Sequence, residues 1–349
     1  MKISDYYTYA PKSKIKAGDA NPNGKYQFYT SSPDESRRCD EYLYDCKAIV
    51  MGTGGSATLH YYDGKFSTST DCLTLIPNEK IRAKYLYYFF LANMDVLEAG
   101  FKGAGLKHTS KGYIDNIEIT KIPSLPSQDK IVNLFDELAL RIEKERRQIE
   151  KLDELVKARF VEMFGDRFLN TMNWPTKKLG DCATFRNGKA HEKVISETGQ
   201  YVLITSRAIA SDLQDVRHTD SLLTPLATGD IVMVMSDVPN GKALAKCLLI
   251  TENEKYTLNQ RICSLSNYDL NPVFFTYLLN RHQFFLSFND GNGQTNLRKD
   301  DILNCPLIRP SIELQNQFAN FVAQVDKSKF VLSNELTMCD FYIRLIHDR

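Results

Sequence analysis

Between Gln128 and Phe164 apolar residues recur at Ile131, Phe135, Leu138, Ile142, Ile149, Leu152, Val156 and Phe160, with charge on the other faces and no Gly or Pro. Steps of about four and three describe a coiled-coil seam, narrower than the stripe of an ordinary surface helix. At ~1.5 Å per residue, about 36 residues predict a rod of roughly 54 Å. The pattern returns after Gln315, at Phe318, Val322, Val325, Leu332, Leu336, Cys339, Ile343 and Ile346. An offset of about 187 residues carries most of the first set onto the second. Ile142 then falls on Lys329 and Glu145 on Leu332, so the two helices are predicted to pack on each other with a few mismatched layers.

Short β-like runs precede each helix. In the first half they are 25–32, 47–55, 57–69 and 72–78, with a hairpin predicted at Tyr62-Asp63-Gly64-Lys65. A helix over Lys84–Leu97, a glycine loop over Gly100–Lys111 and a strand over 114–122 follow, ending at Pro123 and Pro126. In the second half, 177–189 and 201–209 read as strands, 229–237 parallels 47–55, and 258–266 parallels the end of the earlier set. A helix over 272–288 and a loop at Gly291–Gly293 repeat the first plan. The expected class is α+β: two β-rich globular domains, separated and followed by long helices that pair as an antiparallel coiled coil. The expected boundaries are 1–125, a spacer helix 126–166, a second domain 167–310 and a C-terminal helix 311–349. The repeat is far longer than a solenoid unit, so it reads as tandem domain duplication.

With 349 residues, 43% hydrophobic and 25% charged, the composition is that of a globular protein. A net charge of +1 confines any basic surface to local patches. Eight cysteines without a Cys-x-x-Cys pair predict reduced thiols and no zinc site. The start, MKISDYYTYAPKSK, lacks an apolar core, and no run reaches 18 apolar residues; a cytoplasmic protein without a membrane span is expected.

The enzyme motifs searched for are missing. There is no phosphate-binding GxxxxGK[ST], no Asn-Pro-Pro or Asp-Pro-Pro followed by an aromatic, no HExxH and no GxSxG. Gly52-Thr53-Gly54-Gly55 lacks the third glycine and the acidic partner of a dinucleotide turn. Asp34, Asp45 and Lys47 match a degenerate metal-nuclease pattern, though turn residues before a strand would look the same. No catalytic or metal-binding residue is expected.

What remains suits nucleic acid. Lys102, Lys107, His108 and Lys111 sit in the first glycine loop, where backbone and lysine can approach phosphate. The second loop offers Asn292, Gln294, Asn296 and Lys299, and amides of this type read base edges. Strand-end clusters add Lys12, Thr30, Ser31, Ser32, Thr53, Ser67 and Thr68 in the first half. Their counterparts in the second are Lys189, Ser206, Arg207, Asn240, Lys242, Asn259, Gln260 and Arg261.

In PKSKIKAGD to GKYQFYTSSP (11–33), GTGGSATLHYYDGKFSTSTDCL (52–73), GFKGAGLKHTSKGYIDNIEI (100–119), IEKERRQIEKLDELVKARFVEMFGD (142–166), LNQRI (258–262) and GNGQTNLRKDDILNCPLIRP (291–310), the chain resembles the DNA-specificity subunit of type I restriction–modification systems. The resemblance covers essentially the whole chain. It implies a non-catalytic subunit whose two target-recognition domains each read half of a split, asymmetric double-stranded DNA site in the major groove. It implies helices that set the gap, and two modification subunits that bind S-adenosylmethionine and methylate adenine. Translocase–nuclease restriction subunits complete the implied complex, and this chain itself takes no cofactor. The exposed helix charges Arg146, Arg147, Lys151 and Arg159 are candidates for docking the modification subunits. Two other classes compete: a stand-alone metal-dependent nuclease, and a coiled-coil scaffold that reads no sequence.

Overall fold

The computed structural model describes residues 1–119, 121–238 and 241–347, the last ten of them by helix backbone alone. It contains two compact units, one formed by Met1–Arg147 with the chain from Leu332 onward, the other by Gln148–Val331.

In the first unit, β1 (Tyr7–Tyr9), β2 (Tyr26–Tyr29), β3 (Arg38–Cys39), β4 (Tyr44–Gly52), β5 (Leu59–Thr68) and β6 (Cys72–Pro77) form one sheet in the order β1-β6-β4-β5-β2-β3. All neighbours are antiparallel except β2 and β5. Helices α1 (Ala83–Ala92), α2 (Met94–Ala99) and α3 (Lys111–Asp115) follow, then α4 (Leu125–Phe164). Ile49, Leu75, Leu86 and Phe90 anchor the core between sheet and helices.

The second unit contains β7 (Thr176–Lys178), β8 (Thr184–Asn187), β9 (Tyr201–Ile204), α5 (Ser206–Ala210), β10 (Arg217–Thr219), β11 (Ile231–Val234), β12 (Ser236–Asp237), β13 (Cys247–Leu249), β14 (Tyr256–Leu258) and β15 (Ile262–Ser266). Then come α6 (Pro272–Leu279), α7 (Gln283–Leu286), β16 (Thr295–Asn296), α8 (Lys299–Leu303), β17 (Pro306–Ile308) and α9 (Ile312–His347). Its main strands run β13-β11-β15-β8 and β10-β9-β14, with β9 and β14 parallel. This is the order of the first sheet with β5 cut in two, β13 matching its first half and β14 its second.

The cut explains a misplaced turn. The hairpin expected at Tyr62–Lys65 does not form, because β5 passes straight through it. Gly64 pairs with Cys46, and Lys47–Asp63 and Asp45–Lys65 face each other across β4 and β5 at 3.4 and 4.0 Å. The reversal lies instead at Thr53–Thr58, where Gly55 takes φ +86°. In the second unit the matching stretch does leave the strand, with Glu254 at φ +54°.

Other expected elements are shorter. The helix over 84–97 breaks at Asn93, and that over 272–288 breaks at Asn280–Arg281, with Arg281 at φ +55°. The strand over 114–122 is a short helix followed by a single bridge from Glu118 to Lys2, since Ile117 and Ile119 are bonded to the backbone of Ile3 and Met1. Thr120 lies outside the described residues.

The seams behave as their spacing requires. In the first unit Phe135 is buried against Tyr88, with ring centroids 4.8 Å apart. In the second, Val156, Phe160 and Phe164 pack on Phe318, Val322 and Val325. There Phe160 meets Phe318 while Asp153 meets Lys329, so α4 and α9 run antiparallel within this unit. Within the first unit Arg141 bridges Glu145 at 2.7 Å and Glu335 at 3.1 Å. Glu145, at the mismatched layer, is buried. The side chains of Cys339, Ile343 and Ile346 lie outside the described residues. The seven described cysteines are free thiols, as expected.

One device joins each long helix to its sheet domain. Buried Gln128 accepts from Arg82 N–H at 2.7 Å and donates to the Pro123 carbonyl at 2.9 Å. Buried Gln315 accepts from Asn271 N–H at 2.9 Å and donates to the Pro310 carbonyl at 2.9 Å. Arg82 and Asn271 are the N-cap residues of α1 and α6. Gln128→Leu keeps the volume but orphans both groups, and is expected to cost about 1–3 kcal/mol for each. Urea unfolding of the variant against the wild type checks this; unchanged stability would remove the bond from any structural role.

His282 gives a second test. It is fully buried, caps α7 by accepting from Phe284 N–H at 3.2 Å, and burial holds its pKa down at about 4, from an ordinary 6.5. Between those values the unfolded chain carries a proton that the folded one lacks, so this group's contribution to stability falls as pH drops from 6.5 to 4. His282→Asn keeps a capping acceptor without the titration, and its urea midpoint should decline less steeply over that window.

Candidate nucleic-acid interface

Parallel pairing sets the site. Because β2 runs beside β5 in the same direction, their C-terminal ends finish together, and so do those of β9 and β14. Each end therefore gathers the turn after the parallel strand (30–32 or 205–207), the turn before β6 or β15 (69–71 or 259–261), and the residues after β4 or β11 (53–55 or 235–237). The glycine loop reaches the same place. In the first unit Thr109 N–H donates to Thr53 C=O at 3.1 Å and Gly55 N–H to Lys107 C=O at 2.8 Å. In the second, Leu297 N–H donates to Met235 C=O at 2.8 Å, and β16 pairs with β12.

Most of the sequence-predicted residues lie on these junctions. Lys12, Lys102, Lys107, His108 and Lys111 are exposed, and Lys102 and His108 exchange backbone hydrogen bonds at 3.0 Å that close their loop. Ser31 Oγ donates to the Asp71 carbonyl at 2.5 Å and accepts from Thr53 N–H at 3.0 Å; Thr53 Oγ1 donates to the same carbonyl at 2.9 Å. Ser32 Oγ accepts from Asp34 N–H at 3.2 Å. In the second unit Lys189, Arg207, Lys242, Gln260, Arg261, Asn292, Gln294, Asn296 and Lys299 are exposed, and Ser206 and Asn259 are half-buried. Gln260 donates to Glu192 at 3.0 Å, Gln294 to Ser236 Oγ at 2.6 Å, and Arg207 sits 3.6 Å from Asp215. Asn240 lies outside the described residues. Gly188 packs against the Asn259 carbonyl, where an added Cβ would collide, and Lys189 beside it bridges to Asn259.

Two lysines are matched between units. Lys111 Nζ lies over the Tyr9 ring at 4.2 Å and Lys299 Nζ over the Phe185 ring at 6.0 Å, Tyr9 and Phe185 being equivalent in register. Each lysine opens a short helix, so its ammonium is held at the rim of the site.

Three expected residues belong to the interior. Thr30, Ser67 and Thr68 are buried. Ser67 Oγ donates to the Glu41 carbonyl at 2.8 Å and accepts from Leu43 N–H at 3.0 Å, which ties down the loop before β4. Ser67 and Thr68 are still inside β5, and Thr30 is packed at the end of β2, so none of the three is on the exposed face. The tip is half-buried Thr70, which closes the Ser-Thr cluster 67–70 of the sequence, and exposed Asp71, which that cluster did not include. The Thr-Asp step between two β-like runs was the signal. Cys72 beneath it is buried, which pushes its thiol up to about 11 and leaves it a neutral core residue.

The nuclease pattern does not assemble. Asp34 accepts from Ser36 Oγ at 2.6 Å and Ser36 N–H at 2.9 Å, which with Arg37 holds its carboxyl below the ordinary range. Asp45 and Lys47 are engaged by Lys65 and Asp63. Among the described residues no group of three or more His, Cys, Asp or Glu is placed to hold a metal ion, and no helix is long and apolar enough to cross a membrane.

Lys107→Ala should weaken DNA binding about equally for all sequences and lower the slope of log affinity against log salt by about one. Ser67→Ala should lower stability by about 1–3 kcal/mol without altering sequence preference. Titrations at several salt concentrations with matched thermal melts separate the two; a change of preference in Ser67→Ala would return it to the contact surface.

The family model for the type I restriction modification DNA specificity domain matches residues 1–154 and 172–337. Among solved structures, a type I restriction-modification system S subunit from M. genitalium is 17% identical, with 99% of this chain and 94% of that one covered and a TM-score of 0.59. An HsdS subunit from Thermoanaerobacter tengcongensis is 13% identical over 100% and 95%, with a TM-score of 0.39. A structure of the type I R-M system, solved for its assembly and conformational transition, is 13% identical over 100% and 96%, with a TM-score of 0.48. No curated protein matches the chain.

Proposed function

Because the chain belongs to the type I restriction modification DNA specificity family, we propose that it is the sequence-reading, non-catalytic subunit of such a system, with each unit reading one half of a split double-stranded site. One observation carries this. The two units hold the same four junctions on the same backbone hydrogen bonds, yet present different side chains there: three lysines and a histidine in the glycine loop of the first against three amides and one lysine in that of the second. Constant backbone with varied polar tips is the arrangement that positions a reader once and changes its letters independently. The difference between the two sets makes the target asymmetric, and the uninterrupted α4 between the domains sets its gap.

On this reading two adenine methyltransferase subunits dock on the long helices and supply the bound S-adenosylmethionine, restriction subunits complete the complex, and the assembly works in the cytoplasm. The helix surfaces support a partner. Arg146 and Lys151 are exposed and make no hydrogen bond or ion pair among the described residues. Arg147 and Arg159 are engaged by Glu143 and Glu162. Leu140 and Leu155 on α4, and Phe330 and Val331 on α9, lie exposed outside the seam.

The test is a single-molecule methylome of a strain with and without this gene. Adenine methylation at one split motif of fixed gap should vanish with the gene. In the same strain Gln260→Ala or Arg261→Ala should relax one or two positions of one half-site, at ~1–3 kcal/mol each. An unchanged methylome on deletion would sink the reading; an unchanged motif in both variants would make those two residues structural.

A further inference from the structure

The repeated backbone bonds assign a base-reading role to a residue in the first unit, and the assignment rests on the DNA-reading function proposed above. In that unit Ser69 N–H donates to Tyr29 C=O at 2.8 Å, Cys72 N–H to Ser69 C=O at 3.3 Å and Thr53 N–H to Asp71 C=O at 2.8 Å. In the other, Asn259 N–H donates to Ile204 C=O at 3.1 Å, Ile262 N–H to Asn259 C=O at 3.1 Å and Met235 N–H to Arg261 C=O at 3.0 Å. Three bonds in one pattern put Asp71 where Arg261 stands. Both side chains are exposed, and neither makes a hydrogen bond or ion pair among the described residues. The Asp71 backbone is also fixed, since its carbonyl accepts from Ser31 Oγ and Thr53 Oγ1 as well.

The chemistry at the two places is opposite. A guanidinium offers only donors and fits the O6 and N7 acceptors of guanine. A carboxylate offers only acceptors and is repelled by phosphate, so an unpaired one at a DNA-facing tip is best matched by a base amine. The major groove presents two, on cytosine N4 and adenine N6. The adenine amine is flanked by acceptors on both sides, its own N7 and the O4 of its thymine partner, which a carboxylate opposes; the cytosine amine has one on a single side, the O6 of its guanine partner, and a C5–H on the other. We propose that Asp71 is a specificity-determining residue for the half-site read by the first unit, accepting a hydrogen bond from the N4 amine of a cytosine.

The experiment uses the full chain co-expressed with the methyltransferase subunits of its own system, in a host free of other adenine methylation, with the motif read from the genome. Asp71→Asn is isosteric and turns one acceptor into an amide that pairs with adenine N6 and N7. One position of the first half-site should move from cytosine to adenine, with the cytosine preference falling by about tenfold or more. Asp71→Glu keeps the carboxylate and should keep cytosine. The second half-site, read by the same molecule, should be unchanged in both, which shows that the variants fold and assemble. Should Asp71→Asn fail to assemble, Asp71→Ala is read instead, and a loss of discrimination at that one position supports the assignment. A first half-site identical in the wild type, Asp71→Asn and Asp71→Ala overturns it while leaving the DNA-reading function intact. A wild-type complex without sequence preference overturns both.

Discussion

A buried glutamine at the start of each long helix fixes how that helix meets its sheet domain. An amide in an apolar setting must satisfy both ends, and the cost of failing is comparable to a lost hydrogen bond on each side. Gln128 and Gln315 do so in the same way, one end on an N-cap backbone N–H and the other on a proline carbonyl five residues back. The Pro123 and Pro310 carbonyls each accept from the glutamine of the helix that follows. The first turn of α4 and of α9 is thereby tied to the N-cap of α1 or α6. Sheet domain and helix are thereby joined within each unit by one buried amide.

Beyond that joint, the parallel strand pair decides what the surface is made of. A sheet of hairpins alone would scatter its turns over both ends. One parallel pair, β2 with β5 or β9 with β14, places two chain segments far apart in sequence at the same end. The glycine loop then closes on that end by backbone bonds, so most of the scaffold there is backbone, supplemented by a few side-chain bonds such as those of Ser31 and Thr53, and the remaining side chains are free to differ. That separation lets the first domain present lysine and aspartate where the second presents amides and arginine.

The helix seams show the same economy with one exception. Phe160, Phe164 and Phe318 form an aromatic cluster beneath α6 in the second unit, with Phe274 and Tyr277 in contact. In the first unit a charged layer interrupts the apolar seam. Glu145 is buried and held by Arg141, whose guanidinium also reaches Glu335. The Arg141–Glu145 contact lies within α4 and Arg141 is itself exposed, so only its bridge to the half-exposed Glu335 crosses to α9, and a pair of that kind contributes little net stability.

The sequence by itself determined the periodic parts. Steps of three and four fixed both long helices, and the offset between them exposed the duplication, because helical contacts lie within a few residues and leave a local trace. The β runs were legible for the same reason. Pairing decided the rest. Tyr62–Lys65 carries turn residues yet stays in β5, since Asp63 and Lys65 find partners on β4 that no local pattern reveals. Likewise the Ser-Thr run at 67–70 looks uniform, but only the tertiary structure shows that Ser67 and Thr68 are still inside the sheet while Thr70 and Asp71 form its tip. Which polar side chain faces outward depends on where a strand 40 residues earlier in the chain stops beside it (Ser31 against Asp71), and that information is not local to either segment.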